Sequence, residues 1–272
     1  MMSGAEGHDA PAWRCASAME SADDLATLTS RWLQEAVRCK YAHNFSWLGR
    51  PILQIPQDVY AIQEIVWQVK PDLVIETGIA HGGSLVLSAS LLALLDYAEA
   101  AAAGTPVDTR RSRRLALGID VEIRTHNRQA IEAHPLASLI EMVEGSSISP
   151  DVVDRVRTRA RGYQKVLVLL DSNHTHDHVL AELEAYAPLT SVGSYCVVWD
   201  TGVDGLPAAM CADRPWGSGN SPRTALQEYL RRLDETPHFA ADGGQLRFQI
   251  DADITDRIVI TASTDGFLQR RP

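Results

Sequence analysis

From Pro71 to about Asp200, short apolar, β-branched runs alternate with longer segments of helical spacing, the pattern of a parallel sheet covered on both faces. The runs predict strands at Leu73 to Glu76, Leu115 to Asp120, Ile140 to Glu144, Val166 to Asp171 and Ser194 to Asp200, with helices beginning near Ser84, Thr125, Pro150 and Asp177. Earlier in the chain, Leu25, Leu28, Leu33 and Val37 place a helix over Ala22 to Lys40. Val59, Ile62, Ile65, Val66 and Val69 share one face of a second, over Asp58 to Lys70. Between them, "NFSWLGRPILQIPQDV" is broken by two prolines and reads as an ordered loop. The stretch "EAAAAGTPVDTRRSRR" reads as a surface insertion, and "DRPWGSGNSPR" as a mobile segment ahead of a helix at Thr224 to Leu233. "LRFQIDADI" and "DRIVITAS" read as two strands of an antiparallel hairpin at one sheet edge.

With 272 residues and 45% hydrophobic composition, the chain buries a full core, and the simplest organisation is one decorated α/β domain. Residues 1–20 read as a disordered tail, 21–70 as a helical segment over the substrate, and 71–272 as the catalytic domain. No stretch approaches the roughly 20 uninterrupted apolar residues of a membrane helix, so no membrane is expected. The N-terminus lacks a basic start followed by an apolar block. Cys15, Cys39, Cys196 and Cys211 are far apart and form no CxxC, which argues against a zinc site or disulfide framework and favours a cytoplasmic location. A net charge of −10 makes nucleic acid an improbable partner, the short "RRSRR" at Arg110 to Arg114 reading as a solvated loop.

The stretch "VIETGIAHGGS" joins a strand to a helix through a glycine loop, a place where backbone amides ordinarily hold phosphate. Here the strand ends in Glu76, two residues before Gly78, and the next glycines are Gly82 and Gly83. A carboxylate there repels phosphate. The acid that binds ribose in a dinucleotide fingerprint stands about 20 residues on, whereas Asp120 follows Gly78 by 42 residues. A ligand with a cationic centre and a ribose diol fits better, and S-adenosylmethionine is such a ligand. Gly78 and Gly82 would let backbone approach its amino-acid end, Asp120 would accept its ribose hydroxyls, and Glu144, Gly145, Ser146 and Ser147 would border its adenine. Three strand ends carrying acids or small-residue turns point to a site at the carboxyl edge of the sheet.

The fourth strand ends in "LLDSNHTHDHV" and the fifth in "VVWDTGVDGLP". Asp171 and Asp200, at adjacent strand ends, suit a hard divalent cation such as Mg²⁺, zinc being the competing ion because histidines are abundant. Thr175 or Asp177 can cap the following helix, Asp177 being the reading adopted, and His176 and His178 read as packing or surface residues.

Together, "PDLVIETGIAHGGS", "GID", "EGSS", "LLDSNHTHDHVLAELEAYAPLTSVGSY", "VVWDT" and "ITASTDGFLQR" resemble the cephalosporin hydroxylase/rhamnosyl O-methyltransferase family over about Phe45 to Phe267. The resemblance implies a class I methyltransferase fold, Rossmann-like, with a seven-stranded, mostly parallel sheet, helices on both faces and an antiparallel C-terminal hairpin. It also implies S-adenosylmethionine and Mg²⁺ as cofactors, Asp171 and Asp200 as metal ligands, His174 as catalytic base and a homo-oligomer. Glu76, Ser84 and Asp171 join Gly78, Gly82, Asp120 and Gly145 to Ser147 as expected cofactor-binding residues. The family commonly has Glu-Asp at the fifth strand end, where this chain has Trp199-Asp200. Water, Asn173 or another oxygen then fills the place of the glutamate, or the site is weak. The expected activity is O-methylation of a sugar or glycoside hydroxyl, with methylation of a phenol or a cephem hydroxyl, or a non-catalytic role in a two-protein system, as alternatives.

Overall fold

The computed structural model describes residues 22–108 and 112–272. Helix α1 (Ala22–Arg38) leads into strands β1 (Phe45–Trp47) and β2 (Arg50–Ile52) and helix α2 (Pro56–Val69). Strict alternation follows: β3 (Leu73–Thr77), α3 (Gly83–Ala103), β4 (Leu115–Asp120), α4 (Thr125–Glu132), β5 (Ile140–Glu144), α5 (Pro150–Ala160), β6 (Val166–Leu170), α6 (His176–Tyr186) and β7 (Tyr195–Val198). The last elements are α7 (Pro222–Glu235), β8 (Arg247–Ile250), α8 (Ala252–Ile258) and β9 (Phe267–Arg271). Among the described residues, one seven-stranded sheet runs β5-β4-β3-β6-β7-β9-β8. It is parallel except for β9, which is antiparallel to both neighbours.

Every residue of β3 and β6 is buried, because helices cover both faces of these central strands. Alternation divides their side chains between two cores. Leu73, Ile75, Val168 and Leu170 pack with residues of α5, α6 and α7, while Val74, Leu167 and Leu169 pack with residues of α2 and α3. After β3 the chain adds β4 and β5 on one side, then crosses to place β6 on the other. The loops leaving β3 and β6 therefore diverge, which opens a crevice at this switch of direction.

Three expectations change. The segment read as an ordered loop contains the β1–β2 hairpin, turned by Leu48 and Gly49, both at positive φ (44° and 86°); two such residues make the turn that matches strand twist, a signal hidden by the leucine. The second strand of the closing hairpin is Phe267–Arg271 rather than "DRIVITAS". Residues 252–258 are helical instead, with Ile254 and Ile258 at helical spacing and packed into the core beside α2, so tertiary packing overrides β-branched propensity. Helix α3 runs through Ala103, taking in the first part of the predicted insertion. It is the one described helix long and apolar enough to cross a membrane by length and composition, and half of its apolar window is buried within the fold.

The predicted tail to Glu20, together with Cys15, Arg110 and Arg111, lies outside the described residues. Arg114 is not solvated: it pairs with Asp96 and Glu99 of α3 and donates to the Pro71 carbonyl at 3.2 Å. Cys39, Cys196 and Cys211 are free thiols.

Candidate active site

The glycine loop is held from three sides. Asp120 Oδ2 accepts the Ile79 and Ala80 amides, both at 2.9 Å, while Oδ1 accepts the Glu122 amide at 3.2 Å. Asn127, buried in α4, donates to the Ala80 carbonyl at 2.9 Å. Arg50 of the hairpin donates to the His81 carbonyl at 2.9 Å and to Asn127 Oδ1 at 2.7 Å. Arg50 and Asn127 were invisible as loop partners in the sequence because both contacts are long-range.

Glu76 lies beneath the loop at 1% exposure. It accepts hydrogen bonds from the hydroxyls of Ser84 and Ser88 on α3, and burial pushes its carboxyl up to about 8 despite the Ser84 bond. Glu76 and Ser84, both expected to touch cofactor, thus satisfy each other. The loop glycines also answer to protein neighbours. At Gly78 (φ +90°) a Cβ would stand 2.1 Å from the Asp171 carbonyl oxygen, and at Gly82 (φ +84°) it would stand 2.4 Å from Ile131 Cδ1. At both, the position a side chain would take is filled by the protein's own packing.

Ser147, 4% exposed, meets His178 Nε2 at 3.0 Å. Ser172 meets the same nitrogen at 3.2 Å and donates to buried Glu182 at 2.6 Å. Gly145 donates its amide to the Asp120 carbonyl at 2.8 Å, and the Ser146 carbonyl accepts from Ser149. The Glu144 to Ser147 turn therefore sits beside Asp120.

Asp171 follows β6, its amide donating to the Thr77 carbonyl at 3.0 Å, which joins it to the end of β3. Asp200 follows β7 in a left-handed conformation (φ 55°), and its amide donates to Ser263 Oγ at 3.1 Å. His174 lies between them, with Nε2 3.5 Å from Asp171 Oδ1 and 3.2 Å from Asp200 Oδ2. One ligand atom from each of the three lies within 4.8 Å of the others. Burial and the Asp200 charge raise Asp171 to about 6 although His174 pulls the other way. Burial alone would lower His174, but the charge of Asp200 and the hydrogen bond to Asp171 outweigh it and lift the imidazole to about 9. Between two carboxylates His174 is thus held as the cation.

Several neighbours have other duties. Asn173 Oδ1 accepts from Thr175 N and Oγ1 at 2.9 and 2.8 Å. His176 Nδ1 meets Thr224 Oγ1 at 2.9 Å. Asp177 is not the cap of α6; Thr175 holds that position, and Asp177 is exposed in the first turn. Asp204 accepts Gly219 N and Ser221 Oγ at 2.9 and 2.8 Å, tying down the segment read as mobile. That places Trp216 beside His174, ring centroids 5.5 Å apart. Trp199 turns into the core and meets Phe267 edge to face at 6.1 Å. Asp58 lines a cavity with Asp171 and Asp200; the sequence shows it only as an acid in a helix's first turn.

A family model described as Rhamnosyl O-methyltransferase/CmcI matches residues 39–271. The rhamnosyl O-methyltransferase of Mycobacterium tuberculosis is 28% identical over 214 residues, which are 78% of this chain and 73% of that protein. The Mycobacterium leprae rhamnosyl O-methyltransferase is 27% identical over 227 residues, 83% of each. A solved structure of CmcI with Mg and SAM superposes with a TM-score of 0.50 at 14% identity, covering 85% of this chain and 78% of that one.

Proposed function

The chain belongs to the rhamnosyl O-methyltransferase/CmcI family, and from that premise we propose that it transfers the methyl group of S-adenosylmethionine to a sugar hydroxyl held beside Asp171, His174 and Asp200. It has the class I methyltransferase fold. The observation that carries the reading is the contact between Gly78 and the Asp171 carbonyl, which gives the glycine loop and the acidic cluster one common wall. Cofactor and acceptor bound on either side of it would meet at the crevice.

S-adenosylmethionine fits the strand ends of β3, β4 and β5, where Gly78 and Gly82 shape the loop, Asp120 secures it, and Gly145, Ser146 and Ser147 form the adjoining turn. Glu76 acts from below by fixing Ser84 and the start of α3. A divalent cation fits Asp171 and Asp200, two hard carboxylate donors from adjacent strand ends, with His174 in reach. Bound there, Mg²⁺ supplies Lewis-acid polarisation of the acceptor hydroxyl and offsets both carboxylate charges.

The chain's own residues supply position and proton transfer. An oxygen about 3 to 3.5 Å from the methyl carbon and in line with its bond to sulfur is set to react. The O–C bond forms as the C–S bond breaks, and S-adenosylhomocysteine leaves. The hydroxyl proton goes to His174 Nε2, which is available as a base once the charges of Asp171 and Asp200 are offset. Trp216, beside His174, offers an apolar face to a sugar ring, and the 211–221 segment carrying it shapes the acceptor site with the hairpin.

The direct test is transfer from labelled S-adenosylmethionine to rhamnosides, other glycosides, phenols and a cephem alcohol, with and without EDTA. Cation-dependent methylation of a glycoside is the expected result. Binding of S-adenosylhomocysteine without transfer to any acceptor would instead favour a non-catalytic partner.

A further inference from the structure

Asp58 stands in the first turn of α2, which begins at Pro56. An acid there is ordinarily solvated and balanced by the free amides of the helix start. This one is 1% exposed. Its Oδ2 accepts the Ala262 amide at 3.0 Å and the Thr261 side chain lies beside the carboxyl, while Oδ1 is buried and makes no hydrogen bond of normal geometry among the described residues. An orphaned carboxylate oxygen is among the costlier things a fold can bury.

That residue lines a cavity of about 40 Å³ with Gln54, Asp171, Trp199, Asp200 and Ala262. The volume exceeds what one water needs, and no lysine or arginine is among the residues lining it. Gln54 lies against Asp171, Asn173 Oδ1 serves Thr175, and Trp199, adjacent to Asp200, has no oxygen to offer. The placement is built by one loop. Residues 261–264 bind Asp58 through Ala262 N, Asp200 through Ser263 Oγ at 3.1 Å, and Thr201 Oγ1 through the Thr264 carbonyl at 2.5 Å. The same few residues therefore fix α2 against the end of β7.

We propose that Asp58, which shares a cavity with Asp171 and Asp200 but stands outside the cluster in which Asp171, His174 and Asp200 lie within 4.8 Å of one another, turns in from α2 as a third carboxylate ligand when a divalent cation binds there. The inference rests on the reading of Asp171 and Asp200 as cation ligands. Three carboxylates make a hard, strongly anionic donor set, which favours Mg²⁺ or Mn²⁺ over a cation that prefers imidazole or thiolate.

Mn²⁺ is the probe, followed by electron paramagnetic resonance on the full-length protein, with Mg²⁺ as competitor and S-adenosylhomocysteine affinity measured in EDTA. Asp58→Asn keeps the size and an acceptor for the Ala262 amide, and Asp58→Ser is a smaller second variant. Each should weaken Mn²⁺ by at least about tenfold and leave S-adenosylhomocysteine affinity within about twofold. Mn²⁺ affinity unchanged in Asp58→Asn overturns the inference and leaves the Asp171–Asp200 reading standing. A parent that binds S-adenosylhomocysteine and no Mn²⁺ overturns both. Pulsed measurement on the parent alone gives an independent result: six-coordination with three protein oxygens leaves at most three positions for water, and four or more waters on the bound ion would overturn the assignment.

Discussion

His174 Nε2 lies 3.2 Å from Asp200 Oδ2, so the group expected to take a proton is paired with the group expected to hold a cation. That pairing sets a pH dependence. Below about 9 the imidazole is charged and opposes a dication on the same carboxylate. Mg²⁺ affinity should therefore rise as pH climbs from 6 toward 9, and His174→Gln should flatten the slope. The variant should also lose on the order of 10² to 10⁴ in turnover with S-adenosylhomocysteine binding intact. Parent-like turnover would remove His174 from the chemistry.

Glu76 gives a second pH effect, on stability. Its carboxyl ionises at about 8 in the fold against an ordinary 4.5. Between those values the native state retains a proton the unfolded chain has released, so stability falls as pH rises through the window. Asp58, raised to about 7 first by burial, and Asp171 act in the same direction. His174 does as well: its charged-state stabilisation is complete below 6.5 and lost as pH rises through about 9. Glu76→Gln keeps an acceptor for Ser84 and removes one of these titrations. Thermal melts from pH 5 to 9 should show a shallower decline for the variant. Equal slopes would mean that Glu76 is ionised in the fold.

What was legible in the sequence followed local chemistry. Strands β4 and β5 carry the predicted bounds because in each the last apolar residue, Ile119 and Val143, is followed by an acid. Asp171 and Asp200 were readable because acids at the ends of apolar strands have few structural uses, whereas His174 was singled out only through the family resemblance. Asp58 was not readable, since its partner Ala262 is 204 residues away and helix starts commonly carry an acid. Nor were the duties of the glycines, which depend on Asp171 and Ile131 approaching from other elements.

The glycine loop can be tested for packing against cofactor contact. At Gly78 the obstructing atom is a backbone oxygen that cannot step aside, whereas at Gly82 it is the end of an isoleucine side chain. Gly78→Ala should cost at least about 1 to 3 kcal/mol from positive φ alone, with the clash added, and S-adenosylhomocysteine binding should fall with stability. Gly82→Ala should be partly rescued by Ile131→Ala, which removes the obstructing atoms. Calorimetric melts of the single and double variants measure this coupling. Strict additivity would show that Ile131 is not what Gly82 accommodates.

Helix α1 shows no buried residue among those whose exposure is described, and Leu28 and Val37 are 54% and 46% exposed. A helix that leaves Leu28 this exposed is suited to pack against a second copy of the chain. Light scattering at micromolar concentration should give a particle larger than the 29.8 kDa chain, and Leu28→Glu should reduce it. A monomer in both cases would end this reading.

Trp216 links the acceptor to the chemistry. Asp204 pins its loop through Gly219 and Ser221, and Gly217 and Asn220 exchange backbone hydrogen bonds at 3.0 Å in both directions. The ring is thus presented rather than free to wander. It is partly exposed, and Arg214 lies 5.5 Å from its centroid. A sugar bound against the open part of the ring would have its hydroxyls directed by His174 and the two carboxylates, while its apolar C–H edge meets the indole. Trp216→Ala should therefore raise the acceptor KM, with a smaller change in kcat, and leave cofactor affinity alone. Trp216→Phe should recover part of the loss because it keeps an aromatic face. If Trp216→Ala lowers kcat and leaves KM unchanged, the indole acts on the placement of His174 instead, and the sugar is bound elsewhere. Measuring both constants with one glycoside at saturating S-adenosylmethionine separates the two, since removing a contact made equally before and during transfer moves KM alone.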